Sequence, residues 1–322
     1  MHTHQQGASA KLAARIGSGF AAAAFVLSGC GSAPSSSTSQ SPQAAQYPLT
    51  VTQIGGGSVV INRRPAHIVS LSPTTTEMLF AIGAGPQVVA VDDQSDYPST
   101  APRTKLSGFQ PNIEAIAAYG PDLVVAADDT AGLVHGLGAL NTPVLIQPAA
   151  KSLDDTYREI VQLGEVTGQR IGADSLVKKM RSDFATLVAT VSKPVRQLKI
   201  YHELDDTYYS ATSATFIGQI YALLGLNDIA DGATAAASDY PQLSAEYIVA
   251  SSPDLIVLAD TKCCHQNAAT VAARPGWGSI AAVKSGQVIG VDDDIASRWG
   301  PRVIDFLRLV VPHVRQLELQ AA

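Results

Sequence analysis

Two stretches of this chain follow one pattern and decide the fold: residues 112–129 read NIEAIAAYGPDLVVAADD, and residues 244–261 read SAEYIVASSPDLIVLADT. Nine of the eighteen aligned positions are identical. In both, a Glu opens a short helical pattern, a Pro-Asp-Leu turn ends it, and a β-branched strand follows that stops at an Asp. The shared register predicts a duplicated α/β unit, with chance agreement of common α/β sequence as the alternative. Two similar lobes would leave a space between them, which is a usual place for a small-molecule site.

The rest of the chain alternates between strand and helix patterns, which predicts mainly parallel sheets covered on both faces. Strands are expected at residues 67–71, 87–91, 123–126, 144–146, 197–202, 208–210, 255–259 and 287–291, with a hairpin at 49–61. Helices are expected at residues 73–82, near 112 and 132, at 153–164, 176–191, 213–224 and 301–319. A helix of roughly 22 residues between the two copies would be about 33 Å long. The predicted fold class is α/β: two similar lobes with mainly parallel sheets, joined by one long helix that allows little opening, with the ligand cleft between them.

The N-terminus carries an export signal. Two basic residues precede an uncharged run, residues 16–26, which is too short to remain as a membrane-spanning helix. The run ends in Leu-Ser-Gly-Cys at Cys30, which resembles the lipobox of bacterial lipoproteins, where the cysteine receives a lipid and becomes the first residue. An ordinary signal peptide cut after Gly29 is the alternative. Residues 31–46 have no charge and almost no large apolar side chain, as in a disordered tether.

These observations divide the chain into five segments. The expected segments are a signal peptide (1–29), the lipidated Cys30 with its tether (30–48), an N-terminal lobe (49–165), an interlobe helix (166–194) and a C-terminal lobe (195–322). The expected location is the extracytoplasmic face of the cell membrane, because acyl chains on Cys30 would anchor a soluble domain there.

Composition excludes several classes of protein. The charged fraction is 16% and the net charge is -6, so there is no basic surface for nucleic acid. The sequence has no GxSxG, HExxH or phosphate-binding glycine loop, which argues against an enzyme. A receptor for free zinc or manganese would need converging histidines, and His67, His135 and His202 have contexts that do not suggest one.

Several short strings together carry a family resemblance. They are IVSLSP at residues 68–73 followed by Thr76 and Glu77, SDYP at residues 95–98, and the two helix starts that contain Glu. In this order and spacing, from residue 47 to the C-terminus, the chain resembles the solute-binding lipoproteins of ABC importers that have a rigid interlobe helix. That group serves cobalamin, haem and ferric siderophores, and the SPxxTE and SDYP strings are most similar to its cobalamin-binding branch.

The resemblance implies a docking role for Glu114 and Glu246. They match the acidic residues, one in each lobe, that meet arginines of a permease dimer in this family, and the permease works with an ATPase. The alternative is that each carboxylate only complements the positive end of its helix, a modest effect of about 0.3–1 kcal/mol.

Aromatic residues in loops after the strands are the candidates for ligand binding, because flat rings bury much apolar area and stack on a conjugated macrocycle. Tyr97 lies in the SDYP string, and Tyr209 in the strand predicted at 208–210. Phe109 and Tyr240 stand before the two Glu helices, where better-known cobalamin binders have tryptophans. The polar candidates for the amide arms of a ligand are Asp128, Asp129, Asp294, Arg298 and Trp299. Ordinary loop packing and the capping of turns are the alternatives for all of these residues.

The string Cys263-Cys264-His265 is unusual. Adjacent cysteines in an exported protein could close a strained vicinal disulfide, which would stiffen the loop after the second-copy strand. The alternative is a soft-metal site, although three consecutive ligands cannot easily surround a metal as a tetrahedron.

Together, the sequence predicts a monomeric, non-enzymatic receptor without a cofactor, which captures a metal chelate such as a corrinoid and delivers it to an importer. A ferric siderophore or haem is the runner-up ligand. An anionic siderophore would favour several convergent cations, and only Arg298 and Arg302 stand near the expected cleft. From other classes, an adhesin, a sensor subunit or a degenerate enzyme stay open.

Overall fold

The computed structural model describes residues 46–192, 196–233 and 238–321 of the chain. The signal peptide, Cys30 and most of the tether predicted for residues 30–48 lie outside the described residues. Tyr47, at the end of that predicted tether, already contacts the folded protein, because its hydroxyl donates a hydrogen bond to the carbonyl of Val166 at 2.9 Å. Within the described residues, no helix combines the length and the apolar composition needed to cross a membrane.

The strands are short and follow the β-branched runs of the sequence. They are β1 (Leu49–Thr52), β2 (Ser58–Ile61), β3 (Ile68–Leu71), β4 (Val88–Asp92), β5 (Arg103–Leu106), β6 (Leu123–Ala126), β7 (Val144–Ile146), β8 (Leu198–Glu203), β9 (Leu226–Asp228), β10 (Leu255–Leu258) and β11 (Val288–Gly290). The helices are α1 (Pro73–Ala81), α2 (Ile113–Ala117), α3 (Leu133–Gly138), α4 (Leu153–Thr167), α5 (Arg170–Val188), α6 (Phe216–Leu223), α7 (Ala245–Ser251), α8 (Ala268–Ala272), α9 (Ala281–Ser285), α10 (Asp293–Ser297) and α11 (Val303–Ala321).

Two parallel sheets form the two lobes. The N-terminal sheet has the order β5-β4-β3-β6-β7, the C-terminal sheet has the order β11-β10-β8-β9, and β1 pairs antiparallel with β2. The two strands of the sequence repeat, β6 and β10, lie in different sheets at corresponding positions: β6 between β3 and β7, and β10 between β8 and β11. All four residues of each are buried, as their apolar runs predict. The predicted α/β fold with two similar lobes is confirmed.

One apolar core runs through both lobes. It includes Val125 of β6, Ile200 of β8, Phe184 of α5 and Phe306 of α11, all of them nearly or completely buried. Helices α5 and α11 pack against each other, so the predicted interlobe helix has a companion. The opposite face of each sheet has a smaller core of its own, beneath α2 and α3 in one lobe and beneath α7, α8 and α9 in the other.

The helices between the lobes differ from the prediction in their limits. Helix α4 does not end near Gly164 but continues to Thr167, because Gly168, with φ of +69°, supplies its left-handed cap. Gly164 lies inside α4 against α5. A Cβ at this position would lie only 2.4 Å from the Cβ of Ala173, so glycine permits the close contact of the two helices. Helix α5 has 19 residues, about 28 Å at 1.5 Å per residue. The segment limits 49–165, 166–194 and 195–322 stay predictions.

The strand predicted at residues 208–210 is wrong. These residues form a loop with a single antiparallel bridge between Tyr209 and Gln242. Tyr208 has φ of +72°, which is incompatible with a continuous strand.

Candidate functional site

The carboxyl edges of the two sheets face each other where the loop after β4 meets the segment after β11. Arg298, which follows β11, donates hydrogen bonds to Asp96 Oδ1 at 3.0 Å and to the carbonyl of Gln94 at 3.0 Å, both in the loop after β4. It also reaches Glu77 Oε1 of α1 at 2.9 Å. In open parallel α/β sheets, ligands bind outside the carboxyl ends of the strands. The space bordered by these loops is therefore the candidate functional site.

Four aromatic side chains in loops that follow sheet strands are exposed, and one of them, Tyr97, lies in the loop after β4. They are the four that the sequence analysis selected: Tyr97, Phe109, Tyr209 and Tyr240. Phe109 is the most exposed, with 78% of its surface accessible. Rings that do not pack into the protein are free to contact a ligand, so the exposure is consistent with the predicted role.

Phe109 is held at the edge of the N-terminal sheet by the glycine before it. A Cβ on Gly108 would lie 2.4 Å from the carbonyl oxygen of Leu71 and 3.0 Å from Asp92 Oδ2. Leu71 ends β3 and Asp92 ends β4, so only a glycine allows the loop to pass this close to both strand ends. The loop thereby places Phe109 over the carboxyl edge of the N-terminal sheet.

Tyr209 and Tyr240 lie on one face of a small antiparallel arrangement in the C-terminal lobe. The amide of Ser210 donates to the carbonyl of Pro241 at 3.0 Å, and the bridge pairs Tyr209 with Gln242. In this register Tyr240 is two residues from Gln242, the partner of Tyr209, which is the diagonal position of an antiparallel pair. The structure thus pairs two segments, each with an exposed tyrosine, and the two tyrosines are 31 residues apart in the sequence.

Tyr97 has a different environment from the other three rings. The guanidinium of Arg302 lies 4.4 Å from the centre of its ring, a cation–π contact. Tyr97 also lines a cavity of about 410 Å³, together with Glu77, Phe80 and Arg302. A larger cavity, about 580 Å³, lies between α4, α5 and α6 and contains none of the predicted ligand-binding residues.

Three of the polar candidates are engaged with protein groups. The guanidinium of Arg298 contacts Asp294 Oδ1 at 2.7 Å in addition to Glu77, Asp96 and the carbonyl of Gln94. Lys262 Nζ lies 2.6 Å from Asp294 Oδ2. Trp299 Nε1 donates to Glu159 Oε2 at 3.0 Å, so its ring is tied to α4.

Asp128 and Asp129 remain exposed at the end of β6. Asp128 accepts a hydrogen bond from the amide of Thr130 at 3.0 Å, and Asp129 from the amide of Val134 at 2.7 Å. Both carboxylates thus organise the turn into α3, as the alternative interpretation expected, and they keep oxygens open to solvent.

Charge neutralisation dominates the junction of the lobes. Glu77 is 1% exposed and accepts from Arg302 Nε at 2.9 Å and from a terminal nitrogen of Arg302 at 2.6 Å. Desolvation works against ionisation of Asp96, but the hydrogen bond and charge of Arg298 outweigh it, and the pKa of Asp96 is lowered. Arg298 and Arg302 therefore bind carboxylates of the protein itself.

A second ionic cluster, which the sequence analysis missed, lies in the C-terminal lobe. Glu203, at the end of β8, is fully buried and accepts two hydrogen bonds from Arg274, each 2.6 Å long. Asp260, just after β10, is also fully buried, and within the part of the chain that the structure describes neither of its carboxylate oxygens accepts a hydrogen bond. Burial, and then the nearby Glu203, raise the pKa of Asp260 to about 8. Glu203 and Arg274 are 71 residues apart, so no local pattern could have indicated this pair.

In this structure Cys263 and Cys264 are free thiols, without the vicinal disulfide that the sequence left open. Asp293 holds this loop instead: its carboxylate accepts from the amides of Lys262 and Cys263, each at 3.0 Å. Desolvation, and then the adjacent Cys264, raise the pKa of the Cys263 thiol to about 12, so the thiol stays protonated at neutral pH.

Among the described residues, no three or more His, Cys, Asp or Glu side chains are grouped to hold a metal ion. His202, one of the histidines considered for metal binding, is fully buried, with Nδ1 2.7 Å from the Tyr221 hydroxyl.

Glu114 and Glu246 occupy matching places in the first turns of α2 and α7. Both are exposed. The N-terminal amides of these helices are already capped by other side chains, since Asn112 accepts from Ala115 and Ser244 from Tyr247. Neither glutamate is therefore needed as a cap. Because α2 and α7 run back toward the amino ends of β6 and β10, both glutamates lie near the carboxyl edges of their sheets.

Known proteins share this sequence and fold. The sequence profile of the periplasmic binding protein family matches residues 68–295. An uncharacterized ABC transporter substrate-binding lipoprotein of Bacillus subtilis is 32% identical over 294 residues, covering 88% of this chain and 91% of its own. A cobalamin-binding protein of Halobacterium salinarum is 27% identical over 280 residues, covering 84% of this chain and 75% of its own.

Among solved structures, a periplasmic heme-binding protein of Roseiflexus sp. RS-1 in its apo form has a TM-score of 0.67 at 22% identity. The alignment covers 78% of this chain and 98% of that protein, which shows a common fold. The chain belongs to the periplasmic binding protein family. It is a solute-binding protein and not an enzyme, as the sequence analysis predicted.

Proposed function

We propose that this protein captures a corrinoid outside the cell membrane, to which the lipid on Cys30 anchors it, and delivers the ligand to the permease of an ABC importer. The observation that carries the proposal is the placement of exposed rings on both sides of the lobe junction: Phe109 in one lobe, and Tyr209 with Tyr240 in the other. Rings on two opposed surfaces suit a large, flat, mostly apolar ligand.

The charges at the junction favour a ligand without net negative charge. Arg298 and Arg302 are paired with Glu77, Asp96 and Asp294, so an anionic chelate would have to compete for them with three carboxylates of the protein, of which Glu77 is buried. Haem carries two carboxylates and many ferric siderophores are anionic, whereas cobalamin is neutral or singly positive. The similarity to a cobalamin-binding protein supports the same choice. Haem or a ferric siderophore remains the second candidate.

A titration of the purified protein tests the ligand. Cyanocobalamin, haemin and a ferric trihydroxamate are added separately while the fluorescence of Trp277 and Trp299 is followed. We expect saturable binding of cyanocobalamin alone. Saturable binding of haemin or the trihydroxamate, without binding of cyanocobalamin, would contradict the corrinoid proposal and favour haem or a ferric siderophore as the ligand.

Ring removal tests the site. Phe109→Ala and Tyr240→Ala should each weaken cyanocobalamin binding about three- to tenfold, because an aromatic contact contributes about 0.5–1.5 kcal/mol. Tyr119→Ala is the matched control, since Tyr119 is also exposed but follows α2, at the opposite end of that helix from Glu114. Unchanged affinity in both site variants would place the ligand elsewhere.

Docking to the permease is proposed for Glu114 and Glu246. Reversing both charges, Glu114→Arg with Glu246→Arg, should abolish uptake by cells and leave ligand affinity unchanged, because the pair faces the permease and not the ligand. Reversing Glu165 and Asp174, which are exposed on α4 and α5, is the control and should leave uptake intact. Uptake that survives the first double change would refute the docking role.

Anchoring is tested at Cys30. Cys30→Ser should move the protein from the membrane fraction to the soluble exported fraction, because a thioether-linked lipid can no longer form. Retention in the membrane fraction would show that another segment holds the protein there.

A further inference from the structure

Residues 292–302, which we call the bridging segment, connect the C-terminal sheet to α11 and are tied to both lobes. On the side of the C-terminal lobe, Lys262 Nζ contacts Asp292 Oδ2 at 2.8 Å and Asp294 Oδ2 at 2.6 Å. Asp293 accepts hydrogen bonds from the loop that follows β10. The first third of the bridging segment is therefore fixed to the C-terminal lobe.

The rest of the bridging segment is fixed to the N-terminal lobe. Arg298 contacts Glu77, Asp96 and the carbonyl of Gln94, at 2.9–3.0 Å. Arg302 makes two hydrogen bonds to Glu77, and its guanidinium also underlies the ring of Tyr97. These contacts join residues more than 200 positions apart in the sequence.

A further pair of hydrogen bonds ties the same segment to α4. Trp299 Nε1 donates to Glu159 Oε2 at 3.0 Å, and the Thr156 hydroxyl donates to the carbonyl of Trp299 at 2.9 Å. The bridging segment thus contacts α1, the loop after β4, and α4, which all belong to the N-terminal lobe.

Burial makes these ionic contacts difficult to open. The side chain of Glu77 is 1% exposed and that of Arg298 is 9% exposed. Separating the lobes here would take two guanidinium groups away from the buried carboxylate of Glu77, which is strongly unfavourable. Guanidinium groups that donate to several fixed acceptors also restrict the relative orientation of the surfaces they join.

We propose that Arg298 and Arg302 are positioning residues, which hold the two lobes at a fixed separation so that the rings of both lobes face one ligand without a large closing motion. Arg298 thereby has a role different from the ligand contact that the sequence analysis expected. The expected effect on ligand binding rests on the proposed function, because only a ligand that contacts both lobes is sensitive to their separation. Holding the lobes in place before binding lowers the ordering cost of binding.

The direct test measures the separation of the lobes in the chain without ligand. Spin labels are placed at Ala139→Cys and Ser285→Cys, exposed positions in the N-terminal and C-terminal lobes, in a chain whose three native cysteines are replaced by serine. Pulsed electron paramagnetic resonance then gives the distribution of distances between them. We expect a narrow distribution for this chain and a broader one, extending to longer distances, after Arg298→Met.

The controls separate positioning from general stability. Arg308→Met is the matched control, because Arg308 is an arginine of α11 whose partners Asp183 and Asp305 are partly exposed, and it should leave the distribution narrow. Arg298→Lys, which can keep one ionic contact, should give an intermediate width. Should Arg298→Met fail to fold, Asp96→Asn decides the question, since it removes a single partly exposed partner and should also broaden the distribution.

Ligand affinity provides the second readout. If Arg298→Met leaves one molecule in ten in the arrangement competent to bind, its Kd for cyanocobalamin rises about tenfold. A folded Arg298→Met or Asp96→Asn chain with the narrow distribution of the parent would overturn the proposal. If the parent chain does not bind cyanocobalamin, the corrinoid proposal fails, while the distance measurement still decides the role of Arg298.

Discussion

The two lobes have the same pairing of their central strands but differ in the side chains at the ends of those strands. Leu71 pairs with Ala126 in the N-terminal sheet, and the equivalent pair in the C-terminal sheet is Glu203 with Leu258. Asp128 and Asp260 end the two copies of the repeat, yet Asp128 is exposed and caps a turn, whereas Asp260 is buried without a hydrogen-bond partner. Duplication has preserved strand pairing and left the side chains at the site free to diverge, so the two walls of the cleft are chemically distinct.

The largest effect is expected where the C-terminal lobe has its buried acids. Arg274→Met leaves Glu203 and Asp260 buried without a cation, so the free energy of unfolding should fall by about 3–5 kcal/mol, measured by urea denaturation. The exposed pairs of Arg308 make Arg308→Met a control that should cost less than about 1 kcal/mol.

A triple change tests whether the two lobes can be made alike. Glu203→Leu gives β8 the residue that β3 has at the equivalent position, and Asp260→Ala with Arg274→Met removes the other two charges of the cluster. Together the three changes should recover most of the stability lost by Arg274→Met. An Arg274→Met chain within about 1 kcal/mol of the parent would show that the cluster does not matter.

The next effect depends on pH. The raised pKa of Asp260, about 8, means that the folded state holds its proton up to that pH, whereas a carboxyl of the unfolded chain loses it near pH 4. The contribution of Asp260 to stability is therefore complete below about pH 4 and is lost as the pH rises through about 8. Between pH 5 and pH 8.5, the free energy of unfolding of Asp260→Asn should therefore fall by about 2–4 kcal/mol less than that of the parent.

Denaturation curves across this pH range provide the measurement for Asp260. Asp128→Asn, which changes the equivalent, exposed residue of the other lobe, is the matched control. Identical slopes for Asp260→Asn and the parent would mean that Asp260 is ionised in the folded protein.

A smaller effect is expected at the loop that carries Phe109. The Cβ of Gly108→Ala would lie 2.4 Å from the Leu71 carbonyl, so the loop must move, at a cost of about 1–3 kcal/mol in the free energy of unfolding. Gly138→Ala, also in the N-terminal lobe, adds a Cβ in open space and should be close to neutral. Equal stabilities of the two variants, compared by thermal denaturation, would mean that the loop adapts at no cost.

The smallest effect concerns the paired rings of the C-terminal lobe. A double-mutant cycle with Tyr209→Ala and Tyr240→Ala should give a coupling of about 0.2–1 kcal/mol in the free energy of unfolding, because the rings are diagonal neighbours. Phe109 belongs to the other lobe, so its cycle with Tyr240 should be additive in the chain without ligand. Additivity in the first cycle would show that the two tyrosines do not touch.

Local pattern in the sequence was enough for most of the backbone. β6 and β10 are apolar runs after a Pro-Asp-Leu turn, and the structure has both, one in each sheet of the predicted two lobes. β5 and β9 were not predicted, because RTKL has a single β-branched residue and LND has none, which is too weak a strand pattern. Their strand form comes from pairing with β4 and β8, which is tertiary context.

The site was less predictable, because its chemistry depends on residues far apart in the sequence. The candidate rings were chosen from loop positions, and all four are exposed. Arg298, in contrast, is held by Glu77 and Asp96, which are 221 and 202 residues away. Residues so far apart form no recognisable pattern along the chain. The sequence therefore indicated a charged residue near the cleft, but not the carboxylates that neutralise it.

The continuous core described above has an evolutionary consequence. Side chains of β6 and β8 belong to one apolar cluster, together with α5 and α11, so each half of the duplication covers a surface of the other. Either half expressed alone would expose that surface to water. The shared interior therefore makes the two halves dependent on each other for folding, while the loops outside it can change without exposing the core.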